Sequence, residues 1–229
     1  MICISQKEAT MRILVAGASG GIGQAVVDMA HEFGHEVCAV SRRPIRQHVW
    51  RKVQIDIFNT AAIMTAMESG IDAVISCIGM QRRNPANPWS ASTSPINLTS
   101  FAASVLCDSM QQAGVSRFIA VSAAGVAESE AQLNMVMKVM LATTMIGTAY
   151  ADLARMEQVL ATSGLDWLAP RPTRLIDGDT TRRVRVTDRF ATNDAIRRRD
   201  VAWWMLRALD HPIWPLAEWG GRTPQITAD

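Results

Sequence analysis

The segment Met11-Arg12-Ile13-Leu14-Val15-Ala16-Gly17-Ala18-Ser19-Gly20-Gly21-Ile22-Gly23 constrains the chain more than any other, because an apolar run too short for a helix empties directly into a cluster of glycines. A polar-free run of this length fits a parallel strand buried on both faces. Gly17, Gly20 and Gly23 stand at G-x-x-G-x-x-G spacing, with Gly21 as an extra glycine. At that spacing Gly17 makes a tight turn, Gly20 and Gly21 let backbone approach a pyrophosphate, and Gly23 lets the next helix press on the strand. The anion would rest on the helix N-terminus. Ser19 and Ile22 complete the loop's candidate contacts.

The context supports this reading. Ala25, Val26, Met29, Ala30 and Phe33 recur at helical spacing, Gly34 can end the helix, and Glu36 to Ser41 follows as a second strand. A site for NAD usually places Asp or Glu at the end of that strand, about 20 residues past the loop. This chain carries Ser41, Arg42 and Arg43 there. No carboxylate would repel a 2′-phosphate, and two guanidiniums can pair with it, so the expected cofactor is NADP(H). A solvated basic turn is the alternative.

Four motifs together, Gly17-Ala18-Ser19-Gly20-Gly21-Ile22-Gly23, Ser41-Arg42-Arg43, Asp72-Ala73-Val74-Ile75-Ser76 and Arg117-Phe118-Ile119-Ala120-Val121-Ser122, resemble the atypical short-chain dehydrogenase/reductases. The nearest likeness is to the NAD(P)H-binding group that contains the biliverdin reductase B-like flavin reductases and the NmrA-like proteins. It extends through Ser163 to Trp167 and Arg171-Pro172 to Arg199-Asp200-Val201-Ala202. The resemblance implies a Rossmann-type α/β fold, a doubly wound parallel sheet, and leaves the substrate open.

Length and composition agree with one such domain over residues 12–229, preceded by a loosely attached extension over 1–11. The formal net charge of +2 with mixed signs argues against a nucleic-acid binder. Cys3, Cys38, Cys77 and Cys107 show neither metal-ligand spacing nor a disulfide framework, so no metal is expected and a reducing cytoplasm fits. No run is long enough to span a membrane. The expected partner is a small-molecule substrate, with the chain a monomer or weak homodimer.

Further along, Val53 to Ile57 reads as the third strand. By resemblance Asp56 and Ile57 lie near the adenine, although Asp56 could instead cap a helix starting near Asn59. Asp72 to Gly79 reads as the fourth strand, whose end, Cys77-Ile78-Gly79, would pass the cofactor at the point where strand order reverses. Residues 81–94 form a loop in which Trp89 is either a flat wall for an aromatic ligand or a cover for the core. A helix over 95–113 leads to a fifth strand ending at Ser122, the position of the catalytic or substrate-polarising serine in the wider family. Leu133 to Tyr150 is rich in methionine: a lid or partner surface is conceivable, and a helix packed on the core is favoured. Leu165 to Pro170 is the sixth strand, and Asp200 is expected to cap the last helix. Val184 and Val186, alternating with Arg183 and Arg185, suggest a strand with one wet face. Trp214 and Trp219 are expected to serve in packing.

The proton chemistry departs from the family pattern. Typical relatives carry Tyr-x-x-x-Lys, in which the lysine lowers the tyrosine pKa. Tyr150 has Ala154 at the lysine position, and Lys138 lies on the other side of it in sequence. Tyr150 is therefore a doubtful general acid. Glu157 falls at a position that is histidine or glutamate in the resembling group, though a plain solvated charge is an equal reading for it and for Asp152. The resemblance implies that Arg171 and Pro172 also touch the cofactor. The expected activity is NADPH-dependent reduction of a small conjugated acceptor such as a flavin, quinone, tetrapyrrole or carbonyl compound. The alternative is a non-catalytic NADP-binding redox sensor of NmrA-like type.

Overall fold

The computed structural model describes residues 10–191, 193–212, 219 and 221–229. Its centre is a six-stranded parallel sheet formed by β1 (Arg12–Ala16), β2 (Glu36–Ser41), β3 (Arg51–Gln54), β4 (Ala73–Ser76), β5 (Arg117–Ala120) and β6 (Asp166–Leu168). The strand order is β3-β2-β1-β4-β5-β6, the doubly wound Rossmann arrangement with its reversal between β1 and β4. Alternate residues of β1 feed the two halves of the core. Ile13 and Val15 pack with α1 (Gly21–Glu32) and α6 (Arg198–Asp210). Leu14 and Ala16 pack with α2 (Thr60–Met67), α3 (Leu98–Ala113) and α5 (Met145–Thr162) on the opposite face. The side chains of Ile13, Leu14, Val15 and Ala16 are all fully buried, as a polar-free run in a central strand requires.

The strands are shorter than expected, β4 ending at Ser76 and β5 at Ala120, and for the third and sixth the reason is visible in the hydrogen bonds. The third strand starts at Arg51 and stops at Gln54, because β2, its ladder partner, ends at Ser41 opposite Gln54. Past that point the Asp56 carboxylate accepts from the Phe58 N–H, and the Asp56 carbonyl accepts from the Asn59 N–H, turning the chain into α2. Asn59, not Asp56, caps that helix, accepting from the Ala62 N–H. The sixth strand ends at Leu168 because the chain then switches partner: Ala169, Arg171 and Thr173 donate to the carbonyls of Arg222, Pro224 and Ile226.

This switch builds a smaller structure beyond the main sheet. β7 (Arg171–Pro172), β11 (Gln225–Ala228) and β9 (Val184–Val186) form one small sheet, while β8 (Arg174–Ile176) pairs with β10 (Ala195–Arg197). β9 lies at the edge of its sheet, with Val184 and Val186 half-buried and Arg185 exposed between them, the one wet face that the alternation suggested. Trp219 is buried against Trp204 at 5.5 Å between ring centroids, while Trp214 lies outside the described residues.

Two expectations are corrected. Asp200 is not a cap. Arg197 precedes α6, and Asp200 is fully buried, with its carboxylate accepting from the Thr180 and Thr181 hydroxyls and the Thr181 and Arg182 N–H groups. The Met-rich segment is not a single helix packed on the core. α4 (Met135–Thr143) has no buried residue, and it breaks from α5 at Thr144, whose hydroxyl caps the new helix at Ile146. Gly147 permits the tight fold-back, since a Cβ there would sit 1.8 Å from the Leu141 carbonyl oxygen.

Candidate functional site

At the carboxyl ends of β1, β2 and β4 lies a cavity of about 350 Å³ lined by residues including Gly17, Ser19, Gly20, Ser41, Arg42, Arg43, Ile57, Cys77, Ile78 and Gly79. Gly17 adopts φ +78°, and a Cβ on it would meet the Cys77 backbone at 2.9 Å. The turn is therefore glycine by necessity. Gly23 lies under it: a Cβ there would stand 2.2 Å from the Gly17 carbonyl oxygen, so the helix presses as closely as the loop allows. The Gly17 and Ala18 N–H groups hang on the Val40 carbonyl, tying the loop to the end of β2.

The first turn of α1 carries no acidic residue, and Gly20 at its N-cap offers no side-chain cap, so the N-terminal N–H groups face no competing carboxylate. Arg43 bridges the two cofactor motifs. Its guanidinium donates to the Ser19 carbonyl at 3.0 Å and the Ser19 hydroxyl at 3.4 Å, while the Ser41 hydroxyl donates to the Arg43 carbonyl. No carboxylate is among the lining residues. Glycine turn, uncapped helix end and two guanidiniums together fit a dinucleotide. Burial pushes the Cys77 thiol in the wall up to about 12, so it is a neutral apolar surface there.

Several expected contacts lie elsewhere. Ile22, Gly23 and Asp56 do not line the cavity, although Ile57 does, with Ile55 beside it. The open side of Gly21 faces the Arg198 side chain, whose Cδ would be 2.8 Å from a Cβ placed there. Arg198 belongs to α6, far along the chain, and its guanidinium pairs with Asp177 at 2.6 Å. No local signal links it to the loop. Trp89 is 66% exposed and lines neither this cavity nor the core.

Arg171 spends its guanidinium on two carboxylates. Its side chain is 2% exposed and wedged between Glu157, at 2.9 and 2.6 Å, and Glu128, whose Oε2 lies at 3.1 Å. Burial works against its charge, but the hydrogen bonds to the two glutamates outweigh this and raise its pKa. The same Glu157 accepts from the Ser122 hydroxyl at 2.6 Å. Glu157 and Asp152 are both buried, which overturns the solvated-charge reading for each. Asp152 reaches from α5 to the start of α3, accepting from the Thr99 N–H at 2.7 Å and the Ser100 hydroxyl at 2.5 Å.

Ser122 also lines a second cavity of about 390 Å³, together with Ala124, Met137, Met140, Ile146, Tyr150, Pro172 and Phe190. The two cavities lie beyond the ends of neighbouring strands: Ser76 of β4 pairs with Ala120 of β5, and two residues further on stand Ile78, which lines the first, and Ser122, which lines the second. Neighbouring strands lie about 4.8 Å apart. Tyr150 donates from its hydroxyl to the Ala124 carbonyl at 3.2 Å, and burial raises its pKa above the ordinary phenol value. The exposed face of α4 carries Met135, Val136 and Val139. Among the described residues no helix is long and apolar enough to cross a membrane, and no cluster of His, Cys, Asp or Glu could hold a metal ion.

A family model described as NAD(P)H-binding matches residues 17–212, beginning at the glycine of the turn. The chain belongs to this NAD(P)H-binding family. Solved structures share its fold over nearly the whole length. ChuY, an anaerobillin reductase from Escherichia coli O157:H7, is 22% identical with a TM-score of 0.74, covering 94% of this chain and 96% of its own. A wide-type short-chain dehydrogenase/reductase from Veillonella parvula, in complex with NADP, is 13% identical with a TM-score of 0.71, covering 95% and 94%. A candidate NADH-flavin reductase from Streptococcus pneumoniae is 22% identical with a TM-score of 0.68, covering 96% and 100%. No curated protein matches the chain. The expected membership of an NAD(P)H-binding group is thus met by the family model, and the expected Rossmann-type fold by the solved structures.

Proposed function

We propose that the chain is an NADPH-dependent oxidoreductase that reduces a small, flat, conjugated acceptor in the second cavity. The observation that carries this reading is the pair of cavities on neighbouring strand ends, one glycine- and arginine-lined without a carboxylate, the other apolar and lined with thioethers. Gly17, Ser19 and Gly20 would hold the pyrophosphate, Arg42 and Arg43 the 2′-phosphate, and Ile57 the adenine side. Cys77, Ile78 and Gly79 would pass the nicotinamide half. When bound, NADPH supplies the hydride, so the protein has to align the acceptor and exclude water. Met137, Met140, Ile146 and Phe190 supply the dry wall.

Tyr150 keeps its proton, with burial raising its pKa and Ala154 standing where a lysine would lower it. An acceptor whose reduced form takes its proton from water suits such a site, which favours flavins, quinones and tetrapyrroles over simple carbonyls. NADPH oxidation followed against a panel of flavins, quinones, biliverdin and aldehydes tests the proposal. Turnover with a flavin, quinone or tetrapyrrole is expected, with Tyr150→Phe reducing it less than about tenfold. Oxidation of NADPH by none of them would refute it. The exposed Met135, Val136 and Val139 favour one second reading, an NADP-dependent sensor that engages a partner, which predicts tight NADPH binding without turnover. The three described cysteines are free, in keeping with a reducing compartment such as the cytoplasm.

A further inference from the structure

The three hydroxyls among the residues lining the second cavity all spend their hydrogen inward, Thr173 on the Thr227 hydroxyl at 3.0 Å. Ser122 donates to Glu157 at 2.6 Å, and Tyr150 donates to the Ala124 carbonyl at 3.2 Å. A hydroxyl has one hydrogen and two lone pairs, so each is left facing the cavity as an acceptor. Ser122 cannot easily be turned round. Its partner is the carboxylate that takes two hydrogen bonds from the buried Arg171 guanidinium, at 2.9 and 2.6 Å, and a carboxylate so engaged has no hydrogen to offer. Releasing Ser122 to donate outward would leave a buried carboxylate short of a partner, which is costly. Side-chain donors do line the cavity, but Gln132, Asn134 and Arg174 are all exposed, whereas Ser122 is buried.

We infer that this cavity is specific for flat, apolar ligands that present an N–H or O–H on their inner edge, with Ser122 as the accepting, specificity-determining residue and Glu157 and Arg171 positioning its hydrogen. A carbonyl edge would meet lone pairs instead of a donor. The inference rests on the proposed reading of the second cavity as the acceptor site and narrows it. Lactam, imide and pyrrole edges, as in flavins and tetrapyrroles, are selected over quinones and plain ketones.

Two matched pairs of probes separate the outcomes: lumiflavin against 3-methyllumiflavin, and isatin against 1-methylisatin, titrated into the NADP-loaded protein. In each pair the N–H member should bind about tenfold more tightly, the worth of one buried hydrogen bond. Ser122→Ala should bring the ratio near unity by weakening the N–H member alone. Tyr150→Phe, which leaves the ion network untouched, should reduce the ratio less. Equal or tighter binding of the methylated members would overturn the inference. So would a preference that survives in Ser122→Ala, which would mean that the methyl group is rejected for its size. Binding of neither pair while NADP still binds would overturn it together with the acceptor-site reading, whereas equal binding within the pairs leaves that reading standing.

Discussion

Arg171 is shared by two carboxylates in unlike surroundings, and removing each should have a very different effect. The Glu157 side chain is 8% exposed and the Glu128 side chain 72% exposed, while Arg171 itself is 2% exposed. Glu157→Leu would leave a guanidinium buried with one solvated partner and would deprive Ser122 of its acceptor. Breaking a buried pair by removing one member costs about 3–5 kcal/mol, because the remaining charge is uncompensated. For a chain of this size that corresponds to a fall in melting temperature of roughly 6–20 °C. Glu128→Leu should cost less than about 1 kcal/mol, as water already screens and solvates that carboxylate. In the double variant Glu157→Leu/Arg171→Met the buried charge is gone from both sides, and much of the loss should be recovered. Denaturant unfolding of Glu157→Leu, Glu128→Leu, Arg171→Met and the double variant, each against the wild type, would measure these terms. Equal, small effects of Glu157→Leu and Glu128→Leu, or a double variant as unstable as the sum of its single changes, would refute the reasoning.

Gly23→Ala would push a Cβ to 2.2 Å from the Gly17 oxygen and 2.9 Å from the Ala18 Cα, so α1 must retreat. Unfolding should show a loss of about 1–3 kcal/mol, with NADPH affinity falling too, whereas Gly79→Ala meets nothing within 4 Å and should leave stability unchanged. NADPH should bind at least about tenfold more tightly than NADH, a difference of about 1.4 kcal/mol that Arg42→Ala/Arg43→Ala should erase in titration calorimetry. The Arg171 hydrogen bond holds the Glu128 carboxyl below its usual range, so its contribution is present above the unfolded pKa of about 4.3 and is lost as pH falls through the lower folded value. The stability gap between wild type and Glu128→Gln should accordingly close in acid unfolding. Burial pushes Cys38 and Cys107 up to about 11 and Cys77 to about 12, so a thiol reagent at neutral pH should spare all three until the protein unfolds, as read by peptide mapping.

What the sequence determined by itself was whatever contiguous residues decide. Ile13 to Ala16 had to be buried on two faces because the run contains no polar side chain. Gly17 and Gly23 marked a turn and a helix contact that no Cβ can enter. Glu36 to Ser41 with the following arginines set the second strand and the charge at its end. From these the fold class and the outline of the cofactor cavity were legible. The tertiary structure decided the fate of the charges. Ser122, Glu157, Arg171 and Glu128 come from separate segments, 35, 14 and 43 positions apart along the network, and Asp152 reaches 53 positions to the start of α3. Residue type alone cannot separate a carboxylate in water from one in the core. The two differ only in whether a distant guanidinium or N–H group is brought close enough to offset the loss of water. The same holds for α4, whose apolar composition suits a core helix, yet whose Met137 and Met140 line a cavity while Met135, Val136 and Val139 face outward. Which side of such a helix is covered depends on what folds against it, and that is a property of the assembled chain.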